Sequence, residues 1–250
     1  MKIIKWSIIF VLFTLLLTNC GMEGFDIILP RSTEDTGQGG SLNKFAVVGD
    51  FLYVLDKTNI KTFKLDNGTM SLVGNTHVSE DIETLHPFNN FLLIGARTGM
   101  SIYEIGETGK PVFVSDYSHV QACDPVVTDG EHAFVTLSTG TLCNTVNRLD
   151  VLDVSNILHP SFMISYPMFN PKGLGVDGDL LFICDSEEGL KIYDKENVLE
   201  LQLIKQFDNF NAVDVIPYHG NLLVVTTDAL HQFDYSDPNN IFEISSININ

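Results

Sequence analysis

Residues 174–194 read LGVDGDLLFICDSEEGLKIYD: a short strand, a Gly-containing turn, a wholly apolar strand, an acidic turn and an alternating strand. The apolar stretch LLFICD, starting at Leu180, has four counterparts: FLYVLD at Phe51, FLLIGA at Phe91, HAFVTL at His132 and LLVVTT at Leu222. In chain order the five starts lie 40, 41, 48 and 42 residues apart. Each follows a turn-rich step (VGD, PFNN, DGE, VDGD, YHGN) and precedes a second strand (IKTFKLD, SIYEIG, RLDVLDV, LKIYD, LHQFDY). A period of about 40–45 residues built from strands is the pattern of propeller blades, because one small sheet cannot bury both of its faces alone.

Each repeat divides into four strands at its Gly, Asn and Asp punctuation. The first gives KFAVVG, FLYVLD, IKTFKLD and SLVGNTHV, with Asn67-Gly68 as a hairpin turn. The second strand of each repeat is apolar at nearly every position, as suits a strand covered on both faces. No helical periodicity runs through the body of the chain. The expectation is an all-β fold, a β-propeller of five blades of four antiparallel strands, over residues 43–250. Its repeats fall at 43–80, 81–122, 123–170, 171–210 and 211–250. A β-sandwich has no reason to repeat its sequence five times.

The N-terminus carries a separate signal. Lys2 and Lys5 precede an apolar run from Ile8 to Leu17, too short to span a bilayer and proportioned as a secretory leader. The ending Leu17-Thr18-Asn19-Cys20 resembles the lipobox of bacterial lipoproteins. That resemblance implies a signal peptide over 1–19 and a lipidated Cys20 as first mature residue. It also implies attachment to the membrane through the lipid, and Gly21 after the cysteine fits outer-membrane sorting. Residues 20–42 then read as the lipidated cysteine and a tether, with Gly37-Gln38-Gly39-Gly40-Ser41 of flexible-linker composition. Within it, Phe25-Asp26-Ile27-Ile28-Leu29 is apolar enough either to add an edge strand to a blade or to pack on a membrane-facing surface.

Loss of the leader moves the formal charge from −18 to −20. An acidic shell of that size argues against nucleic acid and anionic lipid headgroups as partners, and it permits cationic ligands. Trp6, the single Trp, lies in the leader, so no Trp-based sugar-stacking platform remains in the mature chain.

Cys123 and Cys143 fall in the third and longest repeat, where a disulfide would staple the hairpin STGTLCNTVN to the start of its own blade. Two free thiols or a metal pair are the alternatives. Cys184, inside LLFICD, reads as a small core hydrophobe. The segment Cys123–Val127, the strand AFVTL, Cys143 and LDVLDVSN together resemble the LVIVD-repeat proteins. So does PKGLGVDGDLLFICDSEEGLKIYD over 171–194, with Gly189–Asp194 at the eponymous strand. The resemblance implies a propeller on bacterial envelope lipoproteins and brings no catalytic residues with it.

Chemistry is sought at the channel, which the first strand of each blade lines. The polar residues there are Asp81, Glu83, Asp124, Lys172, Asn211 and Asp214. Converged, Asp81, Glu83, Asp124 and Asp214 suit a hard cation such as Ca²⁺; unconverged, they bond backbone N–H groups at strand starts. The acidic turn Asp185–Gly189 reads as a solvated hairpin. The sequence holds no G-x-S-x-G, no H-E-x-x-H and no Gly-rich phosphate loop before a helix. Two function classes follow. One is a module on the bacterial outer membrane that binds or scaffolds an envelope protein, peptide or glycan, with no cofactor. The other is a Ca²⁺-dependent envelope lyase or hydrolase with its site in the channel.

Overall fold

The computed structural model describes residues 39–118, 125–138 and 147–249, all within one compact unit spanning 34–250. The leader, Cys20, Phe25–Leu29, Cys123, Asp124 and Cys143 lie outside the described residues. Twenty strands form five four-stranded antiparallel sheets, each in simple sequence order. Blade 1 holds β1 (Phe45–Val48), β2 (Phe51–Asp56), β3 (Asn59–Asp66) and β4 (Thr69–His77). Blade 2 holds β5 (Ile82–Phe88), β6 (Phe91–Ala96), β7 (Gly99–Ile105) and β8 (Pro111–Ser118). Blade 3 is β9 (Val126–Thr128), β10 (His132–Leu137), β11 (Arg148–Asp153) and β12 (Ser161–Pro167). Blade 4 is β13 (Leu174–Asp177), β14 (Leu180–Cys184), β15 (Leu190–Asp194) and β16 (Gln202–Phe207). Blade 5 closes the series with β17 (Ala212–Tyr218), β18 (Asn221–Thr226), β19 (Ala229–Asp234) and β20 (Phe242–Asn248). The fold is the five-bladed β-propeller expected from the repeats, with no helix among the described residues.

Local chemistry explains the hairpins. Asn67 and Gly68 both take positive φ (46° and 82°), the pair of values that a tight two-residue turn between right-twisted strands requires. In every blade the register slips once between the third and fourth strands, at Thr62/Phe63, Ile102/Tyr103, Val151/Leu152, Ile192/Tyr193 and Gln232/Phe233. A bulge at a constant position raises the twist of each sheet equally. The outer strand thereby swings away from its inner neighbours, as wedge-shaped packing around an axis needs.

The apolar second strands divide their side chains between two neighbours. In β6, Leu92 and Ile94 pack toward blade 1 with Tyr53, Leu55 and Ile60, while Leu93 packs toward blade 3 with Val126, Val135 and Leu137. In β14, Leu181 and Ile183 join Phe134 and Val151 of blade 3, whereas Phe182 and Cys184 join Val215, Val224 and Phe233 of blade 5. This explains a continuous apolar run in a structure whose side-chain period is two. Cys184 is fully buried and free, and burial pushes its thiol well above the usual range.

Four buried clusters join blades 1–2, 2–3, 3–4 and 4–5, and none among the described residues joins blade 5 to blade 1. The terminal blades register the difference. In β2 only Tyr53 and Leu55 are buried, and in β18 Leu222, Val224 and Thr226 are; their alternates Leu52, Val54, Leu223 and Val225 stay half-exposed. Among the described residues the join is made by hydrogen bonds near the channel instead. The Ser41 hydroxyl donates to the Asp214 carboxylate at 3.2 Å, the Leu42 N–H donates to the same group at 3.4 Å, and the Leu174 N–H donates to Ser41 Oγ at 2.8 Å. Close approach demands glycine here: a Cβ on Gly40 or Gly173 would fall 1.9 or 2.1 Å from an Asp214 oxygen. Ser41 is therefore no part of a flexible linker; it is buried and bonded to blades 4 and 5.

The third strands of blades 3, 4 and 5 end on Asp153, Asp194 and Asp234, and each carboxylate accepts the N–H two residues on, from Ser155, Glu196 and Ser236. Such Asx turns swing the chain into the loop toward the fourth strand. The residue after each Asp donates its N–H to the first hairpin of its own blade, Val154 to Glu131, Lys195 to Asp179 and Tyr235 to Gly220, each at 2.8 Å. Two of these residues then reach the preceding blade. Lys195 Nζ meets Asp129 at 2.7 Å, and the Tyr235 hydroxyl donates to Asp177 at 2.6 Å.

The acidic turn of blade 4 departs from its expected solvated state. Asp185 is fully buried, accepting N–H bonds from Phe169 (3.1 Å) and Asn170 (2.7 Å) and pairing with Lys191 Nζ at 2.6 Å. Two backbone donors and an ammonium group satisfy the charge that water would otherwise hold.

Candidate functional site

The connections between blades and the hairpins between second and third strands share one end of the sheets. Asp81 and Glu83 lie at that end, where the chain enters β5. Asp81 sits at φ 58° with its carboxylate 3.1 Å from Arg97 Nη2, and its carbonyl accepts the Arg97 N–H at 3.2 Å. Glu83 is half-buried, and that burial pushes its carboxyl up, opposed by the nearby Arg97 and Lys44 charges. Asp214, in β17, belongs to the blade 5–blade 1 join. Burial pushes its carboxyl up too, and bonds from Val215 N–H (2.9 Å), Leu42 and Ser41 oppose this. Lys172 donates its N–H to the Cys184 carbonyl at 2.7 Å and accepts Thr136 Oγ1 on its own carbonyl at 2.5 Å, which are fold-holding bonds.

Of the four carboxylates read as a Ca²⁺ set, Asp81 and Glu83 share one rim while Asp214 is held by the Ser41 latch. Asp124 lies outside the described residues. Among the described residues no group of three or more His, Cys, Asp or Glu is placed to hold a metal ion. Asp214 instead bonds backbone N–H groups, the ordinary use of an acid at a strand start.

The rim holds a cleft of about 620 Å³ across the blade 1–blade 2 seam. Blade 1 and its lead-in supply Leu42, Lys44, Leu55 and Lys57; blade 2 and its lead-in supply Glu80, Asp81, Ile82 and Glu83. The Ile82 N–H donates to the Lys57 carbonyl at 3.4 Å across the seam. Nothing in the sequence marks Lys44, Lys57 or Glu80 as functional; Lys57 reads there only as part of a turn. Their only signal is position, next to a strand start, in a two-residue hairpin and beside Asp81. A second cleft, of about 820 Å³, opens at the opposite end between blades 4 and 5 and contains Asp177, Asp179, Asp194 and Tyr235. Two of its carboxylates are occupied, Asp177 by the Tyr235 hydroxyl and Asp194 by the Glu196 N–H.

The LVIVD-repeat family profile matches residues 144–167, which contain β11, its terminal Asp153 and β12. One LVIVD repeat is thus matched within the five-bladed β-propeller. No curated protein matches the chain in sequence. Among solved structures it is similar to a Lactobacillus plantarum protein at 15% identity, with a TM-score of 0.62, covering 79% of this chain and 67% of that one. It is similar also to a functionally unknown protein from Desulfotomaculum acetoxidans, at 12% identity and a TM-score of 0.64, covering 85% and 68%. A candidate 6-phosphogluconolactonase from Bacteroides uniformis matches at 14% identity and a TM-score of 0.62, covering 79% and 68%. At such identities the likeness is one of fold alone. The chain spans about two thirds of the length of each of these structures.

Proposed function

We propose that this propeller is a binding module of the bacterial envelope, lipid-anchored at Cys20 to the outer membrane. Its blade-connection rim is presented to an envelope protein, peptide or glycan. The observation that carries the reading is the cleft of about 620 Å³ on that rim, where the side chains of Lys44, Lys57, Glu80 and Glu83 form no hydrogen bond or ion pair among the described residues. Charged groups that the fold leaves unpaired in a concavity are available to a ligand. The anchor rests on the leader and the LTNC lipobox.

Peptide and glycan arrays probed with the wild-type chain and with Lys57→Glu test the recognition face. Binding that the substitution abolishes supports it; array ligands held equally by both proteins refute it. Metabolic labelling with a palmitate analogue tests the anchor, since the wild-type chain should take up label and Cys20→Ala should not.

A further inference from the structure

We propose that the blade 1–blade 2 cleft takes a zwitterionic ligand, an α-amino acid or short peptide, with its carboxylate toward Lys44 and Lys57 and its ammonium group toward Glu80 and Glu83. The proposal deepens the reading of that rim as the recognition face and rests on it.

Charge is segregated by wall. Both lysines come from blade 1 and its lead-in, whereas Glu80, Asp81 and Glu83 all come from blade 2 and the connection ahead of it. The Lys57–Ile82 backbone bond ties the two walls together across the seam. Neighbouring groups that could cancel these charges are already engaged: Asp81 with Arg97, and Asp56 with Lys61 at 2.5 Å. Two ammonium groups on one side and two carboxylates on the other are left without direct partners among the described residues.

A ligand of one sign would answer one wall and meet like charge at the other. A ligand bearing both signs supplies a counter-charge to each wall, so the arrangement selects against simple anions and simple cations alike. Leu42, Leu55 and Ile82 give the cleft apolar surface for the rest of the ligand. Its volume of about 620 Å³ falls inside the range of roughly 300–1,000 Å³ usual for small-ligand sites. Burial pushes the Glu83 carboxyl up against the opposing charges of Arg97 and Lys44, as a partly desolvated acid on the cleft wall should show.

Calorimetric titration of the full chain in detergent, with trialanine and with N-acetyl-trialanine amide, provides the test. Trialanine should bind at least tenfold more tightly than the doubly capped peptide. Lys57→Met and Glu83→Gln should each weaken trialanine about tenfold while leaving the melting temperature unchanged, which shows that both variants fold. Equal binding of the two peptides, both sensitive to Lys57→Met, would overturn the zwitterion while leaving the recognition rim intact. Failure of trialanine to bind, with array ligands still lost in Lys57→Glu, would do the same. Trialanine binding unaffected by either substitution would overturn the site itself.

Discussion

Ser41 and Asp214 lie 173 residues apart in sequence and are joined by a 3.2 Å hydrogen bond from hydroxyl to carboxylate. That contact links the lead-in of blade 1 to the innermost strand of blade 5, where the other four seams rely on buried apolar side chains. A polar join is directional, each bond to the charged carboxylate contributing about 1.5–3 kcal/mol net. An apolar seam adds about 1.5–3 kcal/mol for each fully buried Leu, Ile or Val side chain, and each of the four holds several.

Asp214 makes the join sensitive to pH. Desolvation holds its folded-state carboxyl above the ordinary value of 3.8, so the folded protein binds more protons than the unfolded chain over the window starting there. Stability contributed by this group is then greatest at acid pH and falls as pH rises through the folded-state value. Asp214→Asn, which keeps an oxygen acceptor and removes the charge, should flatten that part of the stability–pH curve in urea melts. Asp214→Ala should lose about 1–3 kcal/mol at neutral pH, because the Leu42 N–H and the Ser41 hydroxyl are left unsatisfied. A wild-type-minus-Asp214→Asn stability difference that rises with pH across the window would contradict the assignment, since the difference removes contributions such as that of buried His86, whose imidazole is lowered to about 4.

Paired truncations distinguish covered faces from uncovered ones. Leu92 and Leu93 in β6 are both fully buried, on opposite faces, so each Leu→Ala change should cost about 2–5 kcal/mol. In β18, Leu222→Ala should fall in the same range, while Leu223→Ala should cost about 1 kcal/mol because Leu223 is half-exposed. Equal costs for Leu222 and Leu223 in denaturant melts would mean that blade 5 is covered on both faces.

Lys195 and Asp129 hold blade 4 to blade 3 at side-chain exposures of 8% and 19%. Desolvation acts to raise the Asp129 carboxyl, but Lys195 and the N–H groups of His132 and Glu131 together hold it below its ordinary value. A carboxyl depressed in this way stabilises the fold above its unfolded-state value, and that stabilisation is lost as pH falls through the folded-state value. Lys195→Met should cost about 2 kcal/mol at neutral pH, less than removal of a partner from a wholly buried pair because two N–H donors remain on Asp129. The variant should also lose less stability than wild type between neutral and acid pH, as read by guanidinium melts.

The blades were legible from sequence because FLYVLD, FLLIGA, HAFVTL, LLFICD and LLVVTT recur at a near-constant spacing, and burial on two faces demands such runs. The seam asymmetry was not legible. FLYVLD and LLVVTT are as apolar as FLLIGA, and whether a neighbour covers the second face is a property of packing. Gly40-Ser41 reads as linker because the closely packed surround of Asp214 requires the same small residues that flexible tethers use. Asp185 reads as a solvated turn because its N–H donors, Phe169 and Asn170, arrive from the connection between blades. Asp81 and Glu83 stood out at a strand start, but Arg97 and the two lysines that define their surroundings come from other loops.

Hydrogen exchange followed by mass spectrometry, on wild type and Ser41→Ala, tests the arrangement of four apolar seams and one polar join most directly. The account predicts that amides of β1, β2, β17 and β18 exchange sooner than those of β10 and β14, and that Ser41→Ala accelerates the first group while leaving the second unchanged. Uniform protection across all five blades, or acceleration spread evenly by the substitution, would contradict it.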